Sequence, residues 1–142
     1  MAKTTDDLLK QLCDLKTLSE LQNFSAVSGE LSPQLSFHDY LTELLNASSC
    51  TASEIIQKSG IQRNYAYQIL NGTKMPGRNK VISFCLALSL PLSEVQRALT
   101  IAKEGVLYPK NRRDSILIFS INKELSVQET NELLYELNEE LL

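Results

Sequence analysis

Thr51 to Pro76 reads TASEIIQKSGIQRNYAYQILNGTKMP. Thr51 and Glu54 have the spacing of a capping box, which predicts a helix starting near Ala52. Apolar Ile55, Ile56 and Ile61 mark its inner side, and Ser59-Gly60 breaks it, because glycine readily takes the positive φ that follows a last helical turn. Gln62 then opens a second helix with inward Ala66, Ile69 and Leu70. Asn71-Gly72 closes it with the two residue types that best tolerate a left-handed end.

Two short helices around a glycine turn can set the second helix side-on into a DNA major groove. Arg63, Asn64, Tyr67 and Gln68 lie at i, i+1, i+4 and i+5, which is one face of a 3.6-residue helix. Arginine can fork onto the two acceptors of guanine, and asparagine or glutamine can pair with the donor and acceptor of adenine. A merely solvated face more often carries Glu and Lys; this one carries neither.

Residues about 36 to 102 resemble the Cro and phage-repressor type of helix-turn-helix domain, the XRE family of bacterial regulators. The stretches that carry the resemblance are SFHDYLTELLNAS, TASEIIQKSG, IQRNYAYQILNG, TKMPGRNKVISFCLALSL and PLSEVQRAL. The resemblance implies an all-α, lambda-repressor-like five-helix DNA-binding domain with extra N- and C-terminal helices. It also implies that Gln62, Arg63, Asn64, Tyr67 and Gln68 face DNA. Thr51, Gln62, Asn71, Thr73, Lys74, Arg78 and Lys80 would contact phosphate, and Arg63, Asn64, Tyr67 and Gln68 would read bases. The family usually has a small residue where this chain has Ile56 and a branched one where it has Ala66. A large-for-small exchange across the turn keeps the summed volume, which cores tolerate best. Ser59 stands where an apolar residue is common, so a slightly less buried turn is expected.

The formal charge is −3, yet it is unevenly spread. Residues 1–50 carry a net −4, residues 51–113 a net +7 with ten bases, and residues 114–142 a net −6. The basic segment is the one that holds the motif, and acidic flanks would discourage unspecific adhesion to nucleic acid.

At 142 residues the chain is long enough for one well-packed domain, or for one small domain with extra helices at each end. Expected divisions are an N-terminal amphipathic helix over 1–25, a DNA-binding domain over 35–104, and C-terminal helices over 105–142 for packing or dimerisation. Leu8, Leu9, Leu12, Leu15 and Leu18 stripe the first of these, and 23–34 reads as a linker rich in serine. Pro91 and Ser93 start the last family helix and Gly105 is expected to end it. Ser126 and Glu129 form a second capping box ahead of Leu133, Leu134, Leu137 and Leu141. SILIFSI, residues 115–121, suits a buried strand or a buried helix; helix is preferred, because a lone strand leaves its amides unpaired. Asp114 would cap that helix, or the basic run Tyr108 to Asp114 would touch DNA backbone. Ser36 would cap the first family helix, with His38 in its first turn.

No apolar run reaches membrane-spanning length and the first ten residues are too polar and acidic for a secretory signal, so a cytoplasmic protein is expected. Cys13, Cys50 and Cys85 show no ligand spacing and the only histidine is His38, which argues against a zinc site or any cofactor. Neither a nucleophile elbow nor a phosphate-cradling glycine loop is present, so no enzyme is expected. The functional expectation is a transcriptional regulator that binds double-stranded DNA as a homodimer, with a possible protein partner through the terminal helices. The alternative is a protein-protein interaction or signalling adaptor on a helix-turn-helix-like bundle, using Arg63, Tyr65 and Tyr67 as an interface hot spot.

Overall fold

Seven residues in succession, Val81 to Ala87, are buried, so the helix that carries them is covered on every side. In the computed structural model, which describes Leu35–Leu142, this helix is the hub of an all-helical unit. Seven helices and no strands occur among the described residues: α1 (Phe37–Ala47), α2 (Ala52–Ser59), α3 (Arg63–Leu70), α4 (Arg78–Ala87), α5 (Leu92–Ile101), α6 (Arg112–Asn122) and α7 (Val127–Glu136). The hub is α4, and α2, α5 and α7 pack on it, while α1 rests on α3 and α5, and α6 on α5 and α7. Phe84, Leu41, Ile55, Ile69, Ile82, Leu99, Leu117 and Leu134 are its largest fully buried apolar side chains. None of the described helices is long and apolar enough to cross a membrane. The amphipathic helix expected over 1–25 and the linker over 23–34 lie outside the described residues.

Helix starts follow local chemistry. Ser36 accepts from the Asp39 amide at 3.3 Å and opens α1, with His38 in the first turn as expected. Ser126 and Glu129 form both bonds of a capping box at α7. At α2 the box is one-sided: Thr51 Oγ1 accepts from the Glu54 amide at 3.2 Å, and no return bond from the Thr51 amide to the Glu54 carboxylate is formed. The segment 115–121 is helical, lying within α6.

Helix ends depart from the sequence reading. Gly60 and Gly72 take the left-handed conformation expected of them, at φ 72° and 85°. Gly105 does not end α5. The left-handed residue there is Lys103 at φ 60°, whose amide donates to the Thr100 carbonyl while the Glu104 amide donates to that of Leu99 at 2.8 Å. This is a Schellman closure without glycine. Ser89, Glu124 and Asn138 close α4, α6 and α7 in the same way. Each such residue sets Cβ close to a carbonyl oxygen, at a cost of roughly 1–2 kcal/mol.

Two further expectations are corrected. Asp114 does not cap α6; Asn111 does, accepting from the Asp114 amide at 2.9 Å, which frees the Asp114 carboxylate to turn inward. Ser59 does not loosen the turn. It is buried, because its hydroxyl donates to the Ile56 carbonyl at 2.6 Å and accepts from the Ile61 amide at 3.2 Å, replacing apolar contact with two satisfied bonds.

The C-terminal leucines are core rather than a free stripe. Leu134 is fully buried, Leu133 and Leu137 pack against the same cluster, and only Leu141 is exposed.

Candidate nucleic-acid interface

α2 and α3 are joined by three residues, Gly60 to Gln62, and the backbone of that turn is held at each step. Gly60 supplies the left-handed turn, Ser59 clamps the amide of Ile61, and Gln62 Oε1 accepts from the Tyr65 amide at 2.9 Å to begin α3. Ile56 on α2 and Ala66 on α3 are both buried, as expected of the exchanged pair. With Ala66 and Ile69 at zero exposure, the register of α3 is fixed, and the opposite face has to point outward.

That face carries the expected residues. Arg63, Asn64 and Tyr67 are exposed and Gln68 is half-buried. The Arg63 guanidinium lies over the Tyr67 ring, 5.6 Å from its centroid, so the two side chains present one cationic and aromatic surface. Tyr67 separates two shallow hollows. One is lined by Ser53, Ile56, Gln57 and Ile61, the other by Thr42, Asn46, Cys50 and Asn71. Exposed Ser53 and Gln57 on α2 thus share a hollow with Arg63 and Tyr67, a neighbourhood the sequence reading passed over. Their spacing of four, which puts both on one side of α2 away from Ile55, was the available signal.

Thr51 before α2, Gln62 in the turn, and Asn71, Thr73 and Lys74 after α3 are all exposed. Three of them cap backbone with an oxygen and leave a donor over. Thr51 and Gln62 cap α2 and α3, and Asn71 Oδ1 accepts from the Thr73 amide at 2.9 Å. None of the ion pairs among the described residues uses Arg63, Lys74 or Lys80. Lys80 is half-buried on the first turn of α4, a helix whose N-terminus has no side-chain cap. The His38 ring, contributed by α1, sits against Gly72: a Cβ there would come within 2.8 Å of its Cδ2. No spacing in the sequence announces that contact.

Arg78 is the exception in the expected set. It is turned inward and four of its N–H groups are engaged: two on Asp114 at 2.8 and 2.9 Å, one on the Gly105 carbonyl and one on that of Val106. Its side chain is 27% exposed and that of Asp114 only 7%. Burial alone would raise the Asp114 carboxyl. The Arg78 fork, the Tyr108 amide and the charge of Arg113 outweigh it and hold the group below its ordinary value. Arg78 therefore joins α4 to α6, with its guanidinium turned to Asp114 and to two carbonyls of the α5–α6 connection.

Elsewhere, Tyr40 on α1 donates to the Glu94 carboxylate on α5 at 2.6 Å, with Arg97 over its ring. Burial, then the bond to Glu94 and its charge, pushes the phenol well above its ordinary range. The Cys85 thiol is pushed up to about 12 by burial in α4. No cluster of three His, Cys, Asp or Glu able to hold a metal occurs among the described residues.

Comparison of the chain with models of protein families, with curated proteins and with solved structures found no match.

Proposed function

We propose that the chain is a sequence-specific transcriptional regulator with a lambda-repressor-like domain, which lays α3 in the major groove of double-stranded DNA and works as a homodimer. The observation that carries this reading is the outward face of α3. It is short, free of acids, pinned from behind by Ala66 and Ile69, and presents Arg63, Asn64, Tyr67 and Gln68 together. Arg63 and Asn64 near its start, with Gln68 a turn later, supply the bidentate groups that distinguish guanine and adenine edges.

Phosphate binding falls to the residues around that face. The spare donors of Thr51, Gln62 and Asn71 flank it, Thr73 and Lys74 follow it, and Lys80 stands at the uncapped start of α4, where backbone amides and the helix dipole favour an anion. Arg78 is left out of this set because Asp114 holds it.

The test is to incubate the purified chain with a random-sequence duplex library at two salt concentrations, with Arg63→Ala/Gln68→Ala as control, and to sequence what is retained. An enriched motif lost in the control is the expected result. Retention without a motif would reduce the chain to a backbone binder. No retention at low salt would sink the DNA reading and point to a protein partner for the Arg63 and Tyr67 face, from which Tyr65 is turned to pack half-buried on the core.

A further inference from the structure

Among the described residues, two surfaces outside the α3 face are unpartnered, and they complement each other. The first is an open groove of about 1000 Å³ between the ends of α2 and α4 and the whole length of α7. Leu86, Ala87 and Val127 are buried along its floor. Tyr135, 76% exposed, and exposed Leu141 stand in its wall. Exposed Glu124, Glu132 and Glu136 line it, against a single base, Lys58. Glu129 also lines it, but its carboxylate is occupied by the amide of Ser126.

The second surface is the outer stripe of α6. Phe119 is 50% exposed, with the Lys123 ammonium 5.9 Å from its ring centroid. Arg112, two turns earlier on the same face, is exposed and makes only a long 3.6 Å contact to Glu139. Exposed Val106, Tyr108 and Lys110 precede it in the chain. Leaving a phenylalanine half in water forgoes much of the roughly 1.5–3 kcal/mol that its burial yields.

We propose that the groove of one copy receives the Phe119–Lys123 edge of α6 from a second copy, and reciprocally. An aromatic ring with a cation at its rim is the complement of an apolar floor with carboxylates at its rim. Among the described residues both surfaces stay exposed, so neither satisfies the other there. Reciprocal exchange about a two-fold axis satisfies both at once and closes the assembly at two copies, whereas a one-way contact would run on into larger species. The first 34 residues are a poorer occupant, because Lys3, Lys10 and Lys16 against Asp6, Asp7, Asp14, Glu20 and Glu30 leave them a net −2, of the same sign as the rim. The pairing itself does not depend on DNA. Its use, setting two α3 helices against half-sites about 34 Å apart, rests on the function proposed above.

The test is analytical ultracentrifugation of the full chain without DNA. The wild type should sediment as a dimer that dissociates on dilution. Lys123→Glu on the stripe and Glu132→Lys/Glu136→Lys on the groove should each weaken self-association roughly tenfold or more, since like charges would then face each other. Mixing the two variants should restore a dimer, because each reversed stripe meets a reversed groove. Phe119→Ser should weaken association with no charge change. All these positions are exposed, and circular dichroism should report an unchanged fold. A monomeric wild type, species beyond the dimer, variants that pair as well as the wild type, or a mixture that stays monomeric would each overturn the proposal. The duplex-retention assay separates this from the DNA reading: a monomer that still selects a motif overturns only the pairing, and a dimer that retains no duplex overturns only the DNA reading.

Discussion

The Arg78 guanidinium and the Asp114 carboxylate meet fork to fork, Nη1 on Oδ1 at 2.9 Å and Nη2 on Oδ2 at 2.8 Å, between helices whose sequences are far apart. The Tyr108 amide adds a third bond to the same carboxylate at 3.0 Å. Removing one partner of so enclosed a pair leaves the other unpaired in low dielectric. Asp114→Ala should therefore lower the unfolding free energy by about 3 kcal/mol in urea titrations. A loss below a few tenths would show that the pair contributes nothing. The pH dependence follows from the sign of the shift. The folded carboxyl sits below its ordinary 3.8, so its contribution is intact above that pH and is lost as pH falls below it. Wild type and Asp114→Asn should accordingly converge in stability in strong acid.

Arg78 and Lys80 are two residues apart and should behave differently on DNA. Lys80→Ala should weaken binding to every duplex about equally and reduce the slope of log affinity against log salt by about 1. Arg78→Ala should leave that slope unchanged and appear as lost thermal stability. Arg63→Ala should cost about 1–3 kcal/mol on the selected motif and relax preference at one base pair, with little effect on unrelated duplex. Equal losses on all sequences would remove Arg63 from the base-reading set.

Much of the α2–α3 pair is legible in the sequence because each signal is local. Thr51, Gly60, Asn71 and Gly72 act on neighbours within a few residues, and buried Ala66 and Ile69 fix which face of α3 looks out. What escapes is chemistry set by partners distant in the chain. Asp114 reads as a cap because Asp is a good cap; only the fold brings Arg78 to it and leaves the capping to Asn111. The resemblance puts Arg78 among the phosphate contacts, and no local signal shows that its donors turn to Asp114 and to two carbonyls. Gly105 reads as a helix end because glycine is the usual left-handed residue, yet the Schellman bonds of α5 over-determine the turn and hold Lys103 there instead.

Glycine at the left-handed ends should then be worth having. Lys103→Gly should raise unfolding free energy by roughly 0.5–1 kcal/mol, the relief of Cβ strain less the extra freedom of the unfolded chain. Gly105→Ala should be close to neutral, since a Cβ there has no atom within 4 Å and its φ is outside the left-handed range. Thermal melts of both variants decide it, and a destabilised Lys103→Gly would contradict the account.

Gly72→Ala should be costly twice over, from φ of 85° and from the His38 ring within 2.8 Å of the new methyl. Backbone strain of about 1–2 kcal/mol should persist in a His38→Ala background while the steric part vanishes. A double-mutant cycle with no coupling between the two sites would place the ring elsewhere.

Cys85 should resist alkylation. In a Cys13→Ser/Cys50→Ser chain, its thiol at about 12 and its burial in α4 predict no modification by iodoacetamide at pH 8 until the protein unfolds. Rapid labelling of the native chain would mean that α4 opens locally.

The clasp between Arg78 and Asp114 also bears on how the chain could be cut or grafted. A fragment stopped at residue 104 would keep α3 but strand a guanidinium whose acid has been left behind, and would bare the faces of α4 and α5 that α7 and α6 cover. The α2–α3 pair is consequently not a transplantable cassette, and any exchange that moved it into another chain would have to carry the tail along with it.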